Sequence, residues 1–257
     1  MRSLNGKTVL ITGASSGIGA ACAHAFAGLE ARLLLAARRL DRLQKLAAAI
    51  YAQDGVEVHT IQLDVRDQPA VEAAIGGLPA AWAVVDILVN NAGLSRGLDK
   101  LHEGKLADWE EMIDTNIKGL LYVSRAVIPG MVARRSGHVI NIGSIAGHQV
   151  YPSGNVYSAT KHAVNALTQG MRIDLLGTGV RVSTVDPGMV ETEFSQVRFH
   201  GDETRAAKVY QGLTPLTPND VADAVVYCAT RPAHVNINEI IIMPTAQATV
   251  TMVARVP

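Results

Sequence analysis

The sequence predicts an α/β protein, in which helices cover both faces of a parallel, doubly wound sheet. Short apolar, β-branched runs alternate with longer segments of helical periodicity. The first of these runs, residues 8–11, leads directly into a glycine-rich turn and a helical pattern. The chain has 257 residues, of which 48% are hydrophobic, so it can bury one large core and we expect a single α/β domain.

The turn after the first strand predicts a dinucleotide site. It has the sequence Thr-Gly-Ala-Ser-Ser-Gly-Ile-Gly over residues 12–19. Glycines allow positive φ and close backbone approach, and the N-terminus of the following helix offers unpaired N–H groups and partial positive charge to a pyrophosphate. The glycine spacing is one residue longer than G-x-G-x-x-G, so the prediction depends on the strand-to-helix context. The residues assigned to the cofactor here are Gly13, Ser15, Ser16, Gly17, Ile18 and Gly19.

The end of the second strand, residues 31–36, favours NADP(H) over NAD(H). Sites for NAD usually have a carboxylate near this point, where it bonds the adenosine 2′-hydroxyl. Ala37 stands here instead, and Arg38 and Arg39 follow, so a 2′-phosphate is attracted rather than repelled. The alternative is a solvated cationic start of the next helix, to which Arg42 also belongs.

The third and fourth strands end in further candidates for the nucleotide site. The third, residues 56–63, ends at Asp64 and Val65. Asp64 is placed to accept a hydrogen bond from the adenine amino group or, alternatively, to cap the next helix. The fourth strand, residues 86–89, continues into small residues that let the backbone lie against a flat ligand: Asn91, Ala92 and Gly93. Helical patterns fill the intervals, ending near residues 26, 53 and 77.

The stretch from Ser144 to Lys161 carries the candidate chemistry. A strand over residues 138–143 ends at Ser144, which places its hydroxyl at the carboxyl edge of the sheet, where ligands bind. If the chain is helical from Asn155 onward, Tyr157 and Lys161 leave one helix face about one turn apart. A free tyrosine has a pKa near about 10, and a fixed ammonium nearby lowers it. The pattern therefore predicts a phenol that Lys161 activates for proton transfer.

The neighbouring elements each add one feature. A helical pattern over residues 106–134 contains Asn116, a poor helix former that suggests a kink or a polar role. The sixth strand, residues 180–185, is followed by a proline and a glycine that turn the chain out over the carboxyl edge. A last helix over residues 218–230 and a strand over residues 239–242 complete the alternation.

Two segments lie outside this alternation, at about residues 189–216 and 243–257. The first lacks a clean period, and we expect a substrate lid because charges are mixed with aromatic residues: Phe194, Phe199 and Tyr210. The second is apolar enough to suggest docking on another subunit, through Val250, Met252, Val253 and Val256.

The composition favours neither nucleic acid nor a membrane as a partner. Lys and Arg number 23, as do Asp and Glu, so the net charge is zero. No apolar run approaches the roughly 18 residues of a membrane helix, and the N-terminus shows no signal-peptide stretch, so we expect a soluble cytoplasmic protein. Cys22 and Cys228 match no metal or redox spacing, and we expect no metal site.

Together these motifs resemble the short-chain dehydrogenase/reductase family over essentially the whole chain. They occur in order and at suitable spacings as Thr12-Gly13-x-x-x-Gly17-x-Gly19, Asn90-Asn91-Ala92-Gly93, Asn116, Ser144, Tyr157-x-x-x-Lys161 and Pro187-Gly188. The resemblance implies a Rossmann-type fold with a seven-stranded sheet, a single NADP(H)-binding domain over residues 1–257, and a homo-oligomer, either dimer or tetramer.

The resemblance also implies roles for individual residues. Tyr157 would be the general acid/base, and Lys161 would bond the nicotinamide ribose while lowering the tyrosine pKa, so both also contact the cofactor. Ser144 would bond the substrate oxygen, and Asn116 would kink its helix and hold a water of the proton relay. Hydride would pass between nicotinamide C4 and the carbinol or carbonyl carbon as Tyr157 moves the proton. The nicotinamide side would be lined by Pro187, Gly188, Val190 and Thr192.

A narrower resemblance connects residues 112–116, 192–199 and 235–245 with the NADP-dependent 3-hydroxy acid dehydrogenases, which oxidise serine, allo-threonine and related acids. A carboxylate substrate needs a cation near the reacting carbon, and Arg198 of the lid is the candidate; the alternative is a surface or interface arginine. We assign Gln149 to the substrate together with Ser144 and Arg198. His148, beside it, is expected to be pocket wall.

Two other functions remain open at this point. The apolar residues of the lid favour a general carbonyl, diketone or steroid reductase that keeps the same mechanism. A non-catalytic sensor or scaffold that binds the cofactor is the alternative from another class. The presence of Ser144, Tyr157 and Lys161 argues against it, because a pseudoenzyme has no chemical need for all three.

Overall fold

The computed structural model describes residues 3–256, which contain one seven-stranded parallel sheet. Its order is β3-β2-β1-β4-β5-β6-β7. Strands β1 to β3 are added towards one edge of the sheet and β4 to β7 towards the other, so the strand order reverses between β1 and β4. The predicted fold class is confirmed. The strands are β1 (Thr8–Thr12), β2 (Arg32–Ala37), β3 (Val58–Gln62), β4 (Ile87–Asn90), β5 (Gly137–Ile142), β6 (Val180–Pro187) and β7 (Glu239–Ile242).

The helices lie on both faces of this sheet, and the ends of several differ by a residue or two from the predicted ones. They are α1 (Gly17–Ala27), α2 (Leu40–Asp54), α3 (Gln68–Gly76), α4 (Leu106–Ile113), α5 (Leu120–Ala133), α6 (Asn155–Asp174), α7 (Phe194–Arg198), α8 (Glu203–Tyr210) and α9 (Pro218–Ala229).

Side chains of successive strand residues pack into two separate cores, one on each face of the sheet. This explains why the central strands are continuous apolar runs. In β1, Val9 and Ile11 pack into the core under α1, α2 and α9, whereas Leu10 packs into the core under α3 and α5. Leu33 and Leu34 of β2 divide in the same way. Because both faces are covered, alternating polar residues would be buried without partners, so parallel strands of this kind contain few of them.

The kink predicted near Asn116 takes the form of a π-helical segment. Residues Asp114–Gly119 form it between α4 and α5, and Asn116 is 2% exposed. Segments of π-helix insert an extra residue per turn and are frequent at functional sites. The effect here is to turn the Asn116 side chain inward, towards α6.

The segment predicted as a lid contains two short helices, α7 and α8, and the tail packs back on it. The backbone N–H of Val256 donates to the Gly212 carbonyl over 2.7 Å, and Arg255 donates to the Val209 carbonyl over 3.0 Å. Met252 and Val256 nevertheless remain 65% and 73% exposed. The subunit-interface role expected for the tail stays a prediction, and Met1, Arg2 and Pro257 lie outside the described residues.

None of the helices within residues 3–256 has both the length and the apolar character that crossing a membrane requires.

Candidate active site

A cleft of ≈ 460 Å³ lies along the carboxyl edge of the sheet. Its volume is within the range of about 300 to 1,000 Å³ that is typical of small-molecule sites. Because all seven strands are parallel, the residues after β1 to β6 meet at this one edge, on both sides of the point where the strand order reverses. The cleft extends from Arg38 and Arg39 at one end to Tyr157 and Lys161 at the other.

The glycine turn after β1 is fitted against the segment after β4. Gly13 has φ +65°, and a Cβ built on it would lie 2.9 Å from the Cα of Ala92. Asn91 holds the two segments together, because its Nδ2 donates to the carbonyls of Thr12 and Gly13 over 2.9 and 3.2 Å. The Thr12 hydroxyl accepts in return from the N–H groups of Asn91 and Ala92. The backbone of both segments therefore forms a flat floor.

Most residues predicted to hold the nucleotide line this cleft. They are Gly13, Ser15, Ser16, Gly17, Ile18, Arg38, Arg39, Asp64, Val65, Asn91, Ala92, Gly93, Tyr157, Lys161, Pro187, Gly188, Val190 and Thr192. Gly19 differs, since it lies beneath the turn, where a Cβ would come 2.5 Å from Asn91 Nδ2. It is a packing glycine that lets α1 approach the floor.

The end of the cleft beside Arg38 and Arg39, which we call the adenosine end because the sequence predicts adenosine there, presents several groups that bind anions. Helix α1 has no acidic residue in its first turn, and its N-cap residue Ser16 makes no side-chain cap hydrogen bond. The Ser16 hydroxyl instead accepts from Arg39 Nη2 over 2.8 Å, and Ser15 accepts from Arg39 Nε over 3.2 Å. A guanidinium, two hydroxyls and a helix N-terminus are a suitable set of groups for phosphate oxygens.

Asp64 lies at the rim of this end, but it does not cap α3 as the alternative proposed. Asp67 is the N-cap residue, and its carboxylate accepts from the Ala70 N–H. Asp64 instead accepts from Arg66 at both carboxylate oxygens, at 3.0 and 2.6 Å. These hydrogen bonds hold the pKa of Asp64 below its ordinary value.

The reacting end brings together Ser144, Tyr157 and Lys161, all of which line the cleft. Helix α6 begins at Asn155, so the condition for a shared face is met, and Tyr157 and Lys161 are 8% and 7% exposed. Lys161 Nζ donates to the Ile142 carbonyl over 2.9 Å. This bond ties the helix to the end of β5, the strand that also leads to Ser144.

The pKa of Tyr157 differs from what the sequence suggests. Burial raises it to about 12, an effect to which Tyr151 adds, while Arg198 and Ser144 act to lower it. The cation acting on the phenol in this structure is therefore Arg198 rather than Lys161, which is directed at a carbonyl. Burial lowers the pKa of Lys161 itself to about 8, opposed by the charge of Asp186.

Arg198 extends from the lid over the phenol. Its guanidinium carbon lies 5.4 Å from the centre of the Tyr157 ring and 4.9 Å from that of Phe194. Its Nε donates to the Ser95 hydroxyl over 3.1 Å and its Nη2 to the Tyr151 hydroxyl over 3.0 Å. Arg198 thus lines the cleft beside Tyr157 instead of pointing away from it.

Residues 7–203 match the family model described as short chain dehydrogenase. The chain belongs to this family. The predicted family is confirmed, and so is the prediction of an enzyme that acts on CH–OH groups.

Several relatives of this short-chain dehydrogenase are similar over nearly their whole length. The "NADP-dependent 3-hydroxy acid dehydrogenase YdfG" of Salmonella typhi is 50% identical over 241 residues, which is 93% of this chain and 96% of the relative. "Sulfoacetaldehyde reductase 2" of Chromohalobacter salexigens is 48% identical over 93% of this chain and 95% of the relative. A solved structure described as the closed form of serine dehydrogenase complexed with NADP+ has 46% identity and a TM-score of 0.90, covering 97% of this chain and 100% of that one.

Besides Gly19, two predicted site residues of this short-chain dehydrogenase lie outside the cleft lining. Gln149 is exposed, and its side chain accepts from the Val250 N–H over 2.9 Å, so it anchors the tail. Its assignment to the substrate stays a prediction. Asn116 is buried, and its side chain forms three hydrogen bonds. Its Oδ1 accepts from the Leu94 N–H, and its Nδ2 donates to the Leu94 carbonyl and to the Thr160 hydroxyl. It joins the floor to α6, and the water expected on it stays a prediction.

The sequence missed three residues around the reacting end: Ser95, Tyr151 and Gln247. Ser95 and Tyr151 orient Arg198 as described above. Gln247, 5% exposed, lines the cleft from the tail, and its Oε1 accepts from the Met189 N–H over 2.8 Å. The position of an aromatic residue shortly before α6 was a usable signal for Tyr151. Nothing in the tail sequence distinguished Gln247.

His148 is not a wall of the cleft as expected. Its Nε2 lies 2.8 Å from Asp186 Oδ2 and 3.4 Å from Glu239 Oε1. Among the described residues these three side chains form the one group with a spacing that suits a metal ion. Their contacts with one another account for the arrangement as a hydrogen-bonded cluster.

Proposed function

We propose that this chain is an NADP(H)-dependent oxidoreductase that interconverts an alcohol and a carbonyl on small 3-hydroxy acids such as serine or 3-hydroxypropionate. The observation that carries the substrate class is the position of Arg198, a guanidinium held over Tyr157 beside Ser144. A 3-hydroxy acid has its carboxylate two bonds from the reacting carbon, so a cation this near the phenol suits it. The similarity to enzymes described as 3-hydroxy acid and serine dehydrogenases supports the same class.

The cofactor end of the cleft fits NADP(H). Bound NADP(H) supplies or accepts the hydride. The residues that would hold it are the glycine turn and Asn91 along the floor, Lys161 at the ribose, and Arg38 and Arg39 at the 2′-phosphate. The relatives described as NADP-dependent, and the neighbour described as an NADP+ complex, support this cofactor.

The chain's own residues would manage the proton. Tyr157 would give its phenolic proton to the substrate oxygen during reduction and take it back during oxidation. The Ser144 hydroxyl, next to it in the cleft, would donate to the same oxygen and hold it in place. Because burial favours the neutral phenol, Tyr157 starts as a proton donor, and Arg198, which acts to lower the pKa of the phenol, would stabilise the phenolate that donation leaves.

Arg198 would bind the substrate carboxylate. Two of its nitrogens donate to Ser95 and Tyr151, which fix the plane of the guanidinium, while Nη1 makes no hydrogen bond to the residues that the structure describes. A fixed guanidinium loses little conformational entropy on binding an anion. Phe194 lies against the Arg198 guanidinium and packs edge-on against Tyr157 at 5.6 Å between ring centres.

A substrate panel with two arginine variants tests this proposal. Arg198→Ala should lower kcat/KM for L-serine and 3-hydroxypropionate by about 10- to 100-fold, since a hydrogen bond to a charged group is lost. For a neutral ketone the loss should stay within about threefold. Arg205→Ala is the matched control, because Arg205 is an exposed lid arginine stacked on Phe199. An unchanged KM for 3-hydroxy acids in Arg198→Ala would contradict the role.

Sulfoacetaldehyde belongs in the same panel, because one relative is described as a reductase of that compound. A guanidinium recognises a sulfonate much as it does a carboxylate, so Arg198 suits both anions. A bulky diketone or steroid represents the general carbonyl reductase, which the apolar lid favoured. If NADPH binds tightly but is consumed with no member of the panel, the chain is a cofactor-binding sensor or scaffold.

We also propose that the chain works as a dimer or tetramer. Large apolar side chains are exposed near the end of α6, where Ile173 and Leu176 are 74% and 85% exposed. Contiguous exposed apolar residues on a single chain are typical of subunit contacts. Light scattering coupled to size-exclusion chromatography measures the mass directly, and a monomer at micromolar concentration would refute the proposal.

A further inference from the structure

Glu193 connects the lid to the arginines of the cofactor site. It precedes α7, and its carboxylate accepts from two cations at once: Arg39 Nη1 to Oε2 at 3.0 Å, and Arg42 Nη1 to Oε1 at 2.6 Å. Arg39 is the residue that also donates to the Ser15 and Ser16 hydroxyls at the start of α1. Glu193 therefore contacts the same arginine that bonds the two serine hydroxyls at the start of α1.

We propose that Glu193 is an internal competitor of the cofactor 2′-phosphate, so that binding of NADP(H) frees the start of the lid from Arg39 and Arg42. This inference rests on the assignment of NADP(H) and of Arg39 to its phosphate. A carboxylate and a phosphate are both oxyanions that a guanidinium binds through paired N–H groups. The 2′-phosphate would take the bonds that Glu193 now makes.

The charges favour the phosphate in this exchange. A phosphate monoester carries about −1.5 to −2 at pH 7 and three acceptor oxygens, whereas a carboxylate carries −1 and two. The side chains of Arg39, Arg42 and Glu193 are 41%, 42% and 38% exposed, and ion pairs this exposed are weak. Hydrogen bonds from Arg42 and Arg39 keep the pKa of Glu193 below its ordinary value, so it is charged at neutral pH. The pair is thus present in the free chain but easily replaced.

The position of Glu193 in the chain passes this exchange on to the substrate end. It lies next to Phe194, whose N–H donates to the Thr192 hydroxyl, and five residues before Arg198, which ends α7. NAD(H) lacks the 2′-phosphate and would leave both ion pairs in place. Glu193 would therefore have two effects. It would lower the affinity for NADP(H), and it would make release of the start of the lid depend on the 2′-phosphate.

Binding of two nucleotide fragments to the full chain tests the competition. The fragments are 2′,5′-ADP, which carries the 2′-phosphate, and 5′-ADP, which does not; neither contains nicotinamide. Glu193→Gln should bind 2′,5′-ADP about twofold to fivefold more tightly than the wild type, with unchanged affinity for 5′-ADP. Glu191→Gln is the matched control, because it removes the same charge two residues earlier from an exposed side chain and should change neither affinity. Titration calorimetry at low ionic strength measures both.

Hydrogen–deuterium exchange gives the second readout. In the wild type, 2′,5′-ADP should increase exchange in peptides covering residues 193–199 and 5′-ADP should not, while Glu193→Gln should show high exchange without either ligand. If Glu193→Gln leaves the preference for 2′,5′-ADP unchanged or lowers it, Glu193 does not compete and the inference is wrong. If the wild type binds the two fragments equally, the NADP(H) assignment fails together with the inference, so the two failures are distinguishable.

Discussion

The two ends of the cleft are built in different ways. Around the glycine turn, the floor consists of backbone from segments that directly follow β1 and β4, joined by Thr12 and Asn91. At the reacting end, the wall consists of side chains from segments far apart in the sequence, among them Ser95, Tyr151 and Arg198. Geometry set by strand ends tolerates little change in the backbone, whereas geometry set by side chains depends on each contact separately. The difference predicts which substitutions damage folding and which damage only chemistry.

The sharpest separation of chemistry from folding should come from Tyr157→Phe. The variant keeps the ring that packs against Phe194 and loses only the hydroxyl, so turnover should fall by about 10³-fold or more. The Kd for NADPH, measured by fluorescence titration, should stay within about twofold. A kcat near that of the wild type would remove Tyr157 from its role as acid/base.

The opposite case is Gly13→Ala, which should damage folding and nucleotide binding together. The φ of +65° is strained for alanine, and the new Cβ would lie 2.9 Å from Ala92 Cα, which is backbone and cannot move aside cheaply. We expect the free energy of unfolding to fall by about 2–4 kcal/mol in urea titrations. Gly170→Ala is the control, since it lies in α6 with open space around it and should stabilise the chain by about 0.5–1 kcal/mol. Equal effects of the two substitutions would contradict the backbone-built floor.

The same contrast separates what the sequence could predict from what it could not. The floor was predictable because hydrophobic runs locate the strands, and parallel strands place the residues that follow them, such as Gly13 and Asn91, at one edge. Tyr157 and Lys161 were predictable because helical spacing alone puts them on one face. The partners of Arg198 were not, because Ser95 and Tyr151 meet it only through tertiary packing. The prediction of a lowered pKa for Tyr157 was wrong for the same reason. Burial is a property of the fold, and here it raises the pKa more than nearby cations lower it.

Lys161 should lower the free energy of unfolding at neutral pH, because its ammonium group is buried in the native state. Its pKa falls from the ordinary value of 10.5 to about 8. Between these values the unfolded chain binds more protons than the native one, so native stability rises with pH across this window and is lowest below pH 8. Lys161→Met should therefore raise the free energy of unfolding at pH 7 by about 1–2 kcal/mol, after the lost bond to Ile142 is subtracted, while turnover is lost.

Urea titrations of both proteins at pH 7 and at about pH 10.5 measure this cost. The gain from Lys161→Met should shrink towards the higher pH, because the native lysine is neutral there and about half of the unfolded chains have lost the same proton. A variant that is less stable than the wild type at pH 7 would mean that the bond to the Ile142 carbonyl outweighs the burial of the ammonium.

The smallest effects should distinguish the two glutamines that hold the tail. Gln247 is buried and pairs with the Met189 N–H beside the cleft, so Gln247→Ala leaves that donor unpaired; we expect a loss of about 1 kcal/mol in stability and a fewfold rise in KM. Gln149 is exposed and holds only the Val250 N–H, which water can satisfy, so Gln149→Ala should cost less than about 0.5 kcal/mol and leave KM unchanged. Urea titration and steady-state kinetics on the two variants provide the comparison. A larger KM effect from Gln149 than from Gln247 would return Gln149 to the substrate site and place the tail anchor elsewhere.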